Sequence, residues 1–384
     1  MAETAETAVR QTQWSAKIAD SMLLACVDGL HPRMGNKWGY VSGMALMALD
    51  RLTDHSGDAT YREAMRRHMD LFVREDGSIL TYTLEDYNLD HINQGKNLFS
   101  LWNRTGDEKY AKAAKLLAMQ LTGQPRTSEG GFWHKKIYPF QMWLDGIYMS
   151  SPFLAEYAKT FGETRLFDDV ANQILLIERK TRNPDTGLLH HAWDESREQR
   201  WCDRDTGRSL HVWGRAMGWY AMAVVDALEH FPLDHPQRGQ IMGIFHRMAH
   251  AVKRAQDHES GLWYQVMDQN GREGNYLEAS ASCMLTYALA KGIRLSYVAE
   301  LPSSVVHRAF EGVLQRFVTE DGDGVHLHRI CHGAGLGGNG KYRDGSYEYY
   351  LSEEVVSDAL MGVAPFLLAS MEIEKLKEQE SRPS

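Results

Sequence analysis

The chain has 384 residues, of which 43% are apolar, and a formal net charge of −9, so a large core is affordable and a phosphate-tracking nucleic-acid binder is excluded. Its four cysteines, Cys26, Cys202, Cys283 and Cys331, lie far apart with no CxxC pair, which argues against a zinc finger or a disulfide framework. No run reaches eighteen apolar residues, and the opening MAETAETAVRQTQWSAKIAD has no apolar signal stretch, so the expectation is a cytoplasmic protein with neither membrane nor nucleic-acid partners.

Strand signals are weak and helical periodicity recurs from end to end. The spacing predicts helices over 10–28, 38–52 and 59–74, then 91–105 and 107–121, then 145–161 and 164–180. It continues with 213–231 and 236–256, 277–293 and 302–317, and a closing helix over 352–376. These twelve segments are of two kinds. Those at 38, 91, 145, 213, 277 and 352 are rich in Gly, Ala, Ser and Met and apolar nearly all round, as doubly buried helices are. The others are amphipathic, as in DEKYAKAAKLL. Six buried helices alternating with six half-exposed ones predict an all-α fold, an (α/α)6 barrel with inner and outer rings, in one domain over 1–384 with short polar tails. The irregular spacing of the buried helices argues against a uniform solenoid.

Polar and aromatic residues concentrate just before each buried helix. The stretches are MGNKWGY, TLEDYNLD, FWHKKIYPFQMWLD, LLHHAWDESREQRWCDRDTGRSLHVWGR, GLWYQVMDQNGREGNYLE and LHRICHGAGLGGNGKYRDGSYEYYLSE. If the helices alternate in direction, all six loops line one funnel. Its Trp, Tyr, His, Asp and Arg suit a carbohydrate: rings to stack, carboxylates for hydroxyls, cations for an acid.

Asp90 and Asp145 each open a buried helix. Alone, either reads as an N-cap. Two entering one aromatic funnel read as paired carboxylates whose pKa values are pushed apart, leaving one as an acid. His190 and His191 read equally as loop hydrogen-bonders or as site residues. Arg215 and Trp219, four apart, share a helix face. His246 and His250 form HRMAH on an outer helix, without the Glu of HExxH, and read as surface residues. His326, His328 and His332 lack clustered acids, so no metal is assigned to them. GAGLGGNG has no strand–helix unit around it and reads as a rim loop rather than a nucleotide site.

The stretches FWHKKIYPFQMWLDGIYM, HHAWDES, HVWGRAMGWY, YLEASASCMLTYALAKGIR and RDGSYEYYLSE, in this order between about Trp38 and Leu368, resemble glycoside hydrolase family 105, the unsaturated rhamnogalacturonyl hydrolases. The resemblance implies an (α/α)6 barrel that removes the unsaturated galacturonic acid left at the non-reducing end of pectin fragments by lyases. Related enzymes do the same for unsaturated glucuronic acid. It implies Asp145 as general acid/base and Asp90 as the second carboxylate. His191, Arg215 and Trp219 with Trp213, and His134 with Lys135, are implied pocket residues, and Tyr40 and Trp143 ring contacts. It implies hydration of the C4=C5 vinyl ether without metal or organic cofactor. The partner is an unsaturated uronyl disaccharide or short oligosaccharide, taken by a monomer or small homo-oligomer. One departure stands out: Glu354 follows Ser352-Glu353 where the family carries proline. From other classes, a helical scaffold for a protein partner and an (α/α)6 sugar epimerase are the alternatives.

Overall fold

In the computed structural model, residues 13–25, 31–338 and 340–382 are described, and helices of two kinds alternate along them as the periodicity predicts. In chain order they are α1 (Trp14–Leu24), α2 (Tyr40–Ser56), α3 (Ala59–Asp70), α4 (Lys96–Thr105), α5 (Glu108–Gly123) and α6 (Leu144–Phe161). There follow α7 (Leu166–Thr181), α8 (Gly214–Leu228), α9 (Arg238–Arg254), α10 (Ala279–Arg294), α11 (Ser304–Phe317), a short α12 (Tyr347–Ser352) and α13 (Leu360–Ser381).

Side-chain size decides which helices go inside. Every residue of α8 is buried, and its small residues let neighbouring backbones approach from both sides. A Cβ on Gly218 would come within 2.7 Å of Met284 on α10. By contrast α5 buries one stripe, with Tyr110, Ala113, Ala114, Leu117 and Leu121 at helical spacing. Helices α2, α4, α6, α8, α10 and α13 pack in that order, and α13 returns to α2. Closure of that ring makes the fold an (α/α)6 barrel and not an open solenoid. Outside it, α3, α5, α7, α9 and α11 each cover the inner helix that precedes them, and α1 covers α13. Among the described residues no helix is long and apolar enough to cross a membrane.

Three antiparallel pairs of short strands brace the loops. β1 (Gln141–Trp143) pairs with β2 (Ala192–Asp194), β3 (Val318–Asp321) with β4 (Gly324–Leu327), and β5 (Ile330–Cys331) with β6 (Val355–Val356).

Several boundaries differ from the expected ones. The first helix covers Trp14–Leu24; positions 10–12 and 26–28 of the expected span lie outside the described residues. The second inner helix begins at Lys96, because 89–95 form tight 3-10 turns. There the Gln94 side chain accepts from the Gly39 amide (2.8 Å) and the Ser42 hydroxyl (2.9 Å). The last inner helix begins at Leu360 rather than 352. Asp358 has φ 56°, and its carboxylate accepts from the Leu327 amide at 2.8 Å, which turns the chain out of helical geometry just upstream. Glu354, where the family's proline was expected, lies beside β6 and its carbonyl accepts from the His332 amide at 2.7 Å.

Apolar periodicity gives no warning of a buried ionic cluster deep in the barrel. Asp226 on α8 accepts from Lys291 (2.5 Å) and Tyr287 (2.6 Å) of α10, and Arg51 of α2 stands 3.4 Å away. Lys291 also bonds Glu229. Burial opposes ionisation of Asp226, but Lys291 and Arg51 outweigh it and hold the carboxyl below the usual range. Asp226 is twelve residues from Gly214, about 18 Å along the helix axis from its N-terminal end.

Candidate active site

Loops that enter five of the six inner helices meet at one mouth. There a cavity of about 130 Å³ is lined by Tyr40, Asp90, His134, Lys135, Trp143, Asp145, Trp213, Arg215 and Trp219, together with Tyr138, Met149, Gly333, Ala334 and Arg343. Converging helix N-termini bias such a mouth toward an anionic guest.

Backbone pairing between distant loops sets the two carboxylates. The Leu89 amide bonds the His134 carbonyl (3.1 Å) and Asn88 bridges Lys135, which lays Asp90 against the His134–Lys135 pair. Lys135 Nζ stands 2.6 Å from one Asp90 oxygen and His134 Nε2 3.5 Å from the other. Burial opposes charge on Asp90, yet Lys135 and then His134 prevail, and its carboxyl lies below the usual range. Burial takes His134 down to about 4, so that ring is neutral at neutral pH.

Asp145 is placed by the other hairpin. The β1–β2 register sets Trp143 opposite Ala192, and the Leu144 amide bonds the His191 carbonyl at 3.0 Å. His191 Nε2 thereby lies 3.3 Å from Asp145 Oδ2, and its Nδ1 is 2.8 Å from the Tyr350 hydroxyl. Neither Asp145 Oδ2 nor His191 Nε2 has an aligned hydrogen-bond partner among the described residues.

The capping expectation fails for both aspartates. Asp90 lies in a 3-10 turn that Asn88 caps, six residues before α4 begins. Asp145 is the second residue of α6, Trp143 holds the N-cap position, and no side chain caps that end. Gly146 makes room for the site, since a Cβ there would come within 2.9 Å of His134 Nδ1.

Aromatic rings wall the cavity. Trp143 stacks on His134 (4.7 Å, 10°) and on Tyr138 (5.1 Å, 7°), and its Nε1 donates to Gln141. Trp219 packs on Tyr148 (4.7 Å) and meets Tyr40 edge-on (6.4 Å). Burial, with Asp90 second, pushes the Tyr40 hydroxyl up to about 12, so it stays protonated as a donor. Much of Arg215 is already engaged: Nε donates to Ser280 (2.9 Å), and its terminal nitrogens to the carbonyls of Cys331 and His332.

Nine of the ten expected site residues line the cavity; His191, wholly buried, stands behind Asp145 instead. His190 turns away to the Ser209 carbonyl (2.6 Å). His326 is held by Asp358 and Asp321, and His328 by Thr319 and Ser357. Sequence reading missed Arg343. Its Nε and Nη2 bond the Gly337 and Leu336 carbonyls and the Tyr138 hydroxyl (3.0 Å), which fixes it on the rim. No partner among the described residues takes Nη1, which lies against Gly335, where a Cβ would come within 2.2 Å. The available signal was position: Arg343 is a charged residue in the glycine-rich run before the last inner helix.

A cavity with room for one ring, walled by indoles and holding one ion-paired and one open carboxylate, suits hydrolysis at a sugar. With the barrel around it, the class is a glycosidase. Residues 14–377 match the model of Glycosyl Hydrolase Family 88. A solved glycoside hydrolase of family 105 from C. acetobutylicum ATCC 824 is 44% identical, with TM-score 0.90 over 95% of this chain and 100% of its own. Unsaturated rhamnogalacturonyl hydrolase YesR of Bacillus subtilis is 27% identical over 76% of this chain and 79% of its own. An unsaturated glucuronyl hydrolase from Bacillus sp. GL1 shares the fold at 15% identity, with TM-score 0.66 over 89% and 88%. The chain belongs to the family 88 group and, with its 44% identical relative, to glycoside hydrolase family 105.

Proposed function

We propose that this protein removes a 4,5-unsaturated galacturonic acid from the non-reducing end of lyase-generated rhamnogalacturonan or other pectin fragments. It does so as one barrel domain, in the cytoplasm. The carrying observation is the open Oδ2 of Asp145 beside an Asp90 that Lys135 keeps ionised. The similarity to YesR supports the choice of sugar.

An Asp90 held as a carboxylate cannot donate the proton, so the acid is Asp145. Protonation of C4 by Asp145 breaks the C4=C5 double bond and places positive charge on C5 and the ring oxygen. Asp90 supplies fixed negative charge nearby. Asp145, now a carboxylate, takes a proton from a water as its oxygen bonds C5. The C5 hemiketal opens to a ketone, which leaves the former ring oxygen as a hydroxyl on C1; that hemiacetal collapses to an aldehyde, and the neighbouring sugar leaves with its oxygen protonated. One carboxyl serves both proton transfers, whereas inverting glycosidases divide them between two.

The test is a panel of unsaturated disaccharides from pectin, hyaluronan and heparin lyases, followed by loss of the vinyl-ether ultraviolet absorbance. The rhamnose-linked galacturonide is expected to disappear fastest. Faster turnover of glucuronides would reassign the substrate, and absorbance persisting with every member would overturn the reading.

Arg343 is assigned to the uronate carboxylate through Nη1, the arm no described residue takes; Lys135 is paired with Asp90, and all three nitrogens of Arg215 are engaged. Hydrogen bonds to charged groups contribute about 1.5–3 kcal/mol, so Arg343→Ala is expected to raise KM about 10- to 100-fold, with kcat within about threefold. A fall in kcat at unchanged KM would remove Arg343 from that role.

A further inference from the structure

On the outer ring, HRMAH finds the acid that the sequence did not place beside it. His246 and His250, one turn apart on α9, meet Glu300 from the segment that joins α10 to α11. His246 Nε2 is 2.5 Å and His250 Nε2 3.1 Å from the same Glu300 oxygen, and the two rings lie 4.8 Å apart. One donor atom from each residue falls within 4.8 Å of the other two, and among the described residues no other three His, Cys, Asp or Glu side chains do this.

We propose that His246, His250 and Glu300 form a divalent transition-metal site that ties α9 to the α10–α11 segment. Three features carry it. The spacing of four residues puts both imidazoles on one helix face. Metal–ligand bonds of about 2.1 Å in a tetrahedron set donors about 3.4 Å apart, so the side chains need move only about an ångström to open around an ion. All three are partly or largely exposed (51%, 34% and 48% of the side-chain surface), so that movement disturbs no core. Two imidazoles and one carboxylate favour zinc, nickel or copper over magnesium or calcium, with water completing the shell.

Chelator-stripped protein is titrated with zinc chloride by calorimetry, with magnesium chloride as control, and melted with and without each metal. One equivalent of zinc is expected to bind with micromolar affinity and raise Tm by about 2–5 °C at saturating metal, while magnesium does neither. Glu300→Gln is expected to weaken zinc binding about tenfold, and His246→Ala/His250→Ala at least a hundredfold, with both variants melting like the stripped parent. No zinc binding by the parent below millimolar concentration, or equal binding by the double-histidine variant, would overturn the site.

Discussion

Asp145→Asn is expected to lower kcat on an unsaturated uronyl disaccharide by about 10³- to 10⁴-fold, the upper range for one acid–base group. The amide has nearly the same shape, so the α6 N-terminus and the Trp143 wall stay as they are. What disappears is the proton for C4 and the base that later takes one from water. Both halves of the reaction fail together. Because Oδ2 has no aligned partner in the fold, nothing structural is lost, and Tm is expected to stay within about 1 °C of the parent. KM is expected to hold within about threefold, since the missing interaction belongs to the transition state. The measurement is initial rates of absorbance loss at saturating substrate, paired with a thermal melt. A variant retaining a tenth of the parent rate would return the proton donor to an open question.

The largest stability effect is expected from a residue far from the chemistry. Asp226→Ala removes the carboxylate that Lys291, Tyr287 and Arg51 share. Lys291 is buried, and its remaining anionic partner is Glu229, which is half-exposed. Leaving a buried charge short of its partner costs about 3–5 kcal/mol, seen as a fall in the urea midpoint. The double variant Asp226→Leu/Lys291→Met is expected to recover most of that loss, because well-packed apolar residues replace a buried pair at little net cost. A single-variant cost below about 1 kcal/mol would mean that water reaches Lys291 and screens it.

The fold was legible because inner and outer helices differ in composition along their whole length. A residue packed on all sides must be small or apolar, and α8 and α10 consist almost wholly of such residues. Boundaries were less legible where side chains and left-handed residues delay the start of a helix, as at Gln94 and Asp358. The ionic cluster was visible as Asp226 in AMAVVDALEHF and Lys291 in YALAKGI, but local sequence does not show that the two meet.

At the site, residue types and loop positions pointed to Asp90, Asp145, Arg215 and Trp219, the resemblance to family 105 completed a set of ten side chains, and nine of them line the cavity. The sequence by itself determined which loops carry the polar and aromatic inventory, since each precedes a helix too apolar to face water. Only the tertiary structure decided how those residues are used. Pairing of Asn88 with Lys135 ties up Asp90, and the β1–β2 register sets His191 behind Asp145. It decided as well that Arg215 is spent on the backbone while Arg343 reaches the rim. The reason is physical: charge state and availability depend on neighbours within about 4 Å, and here those neighbours come from loops 45 to more than 100 residues apart.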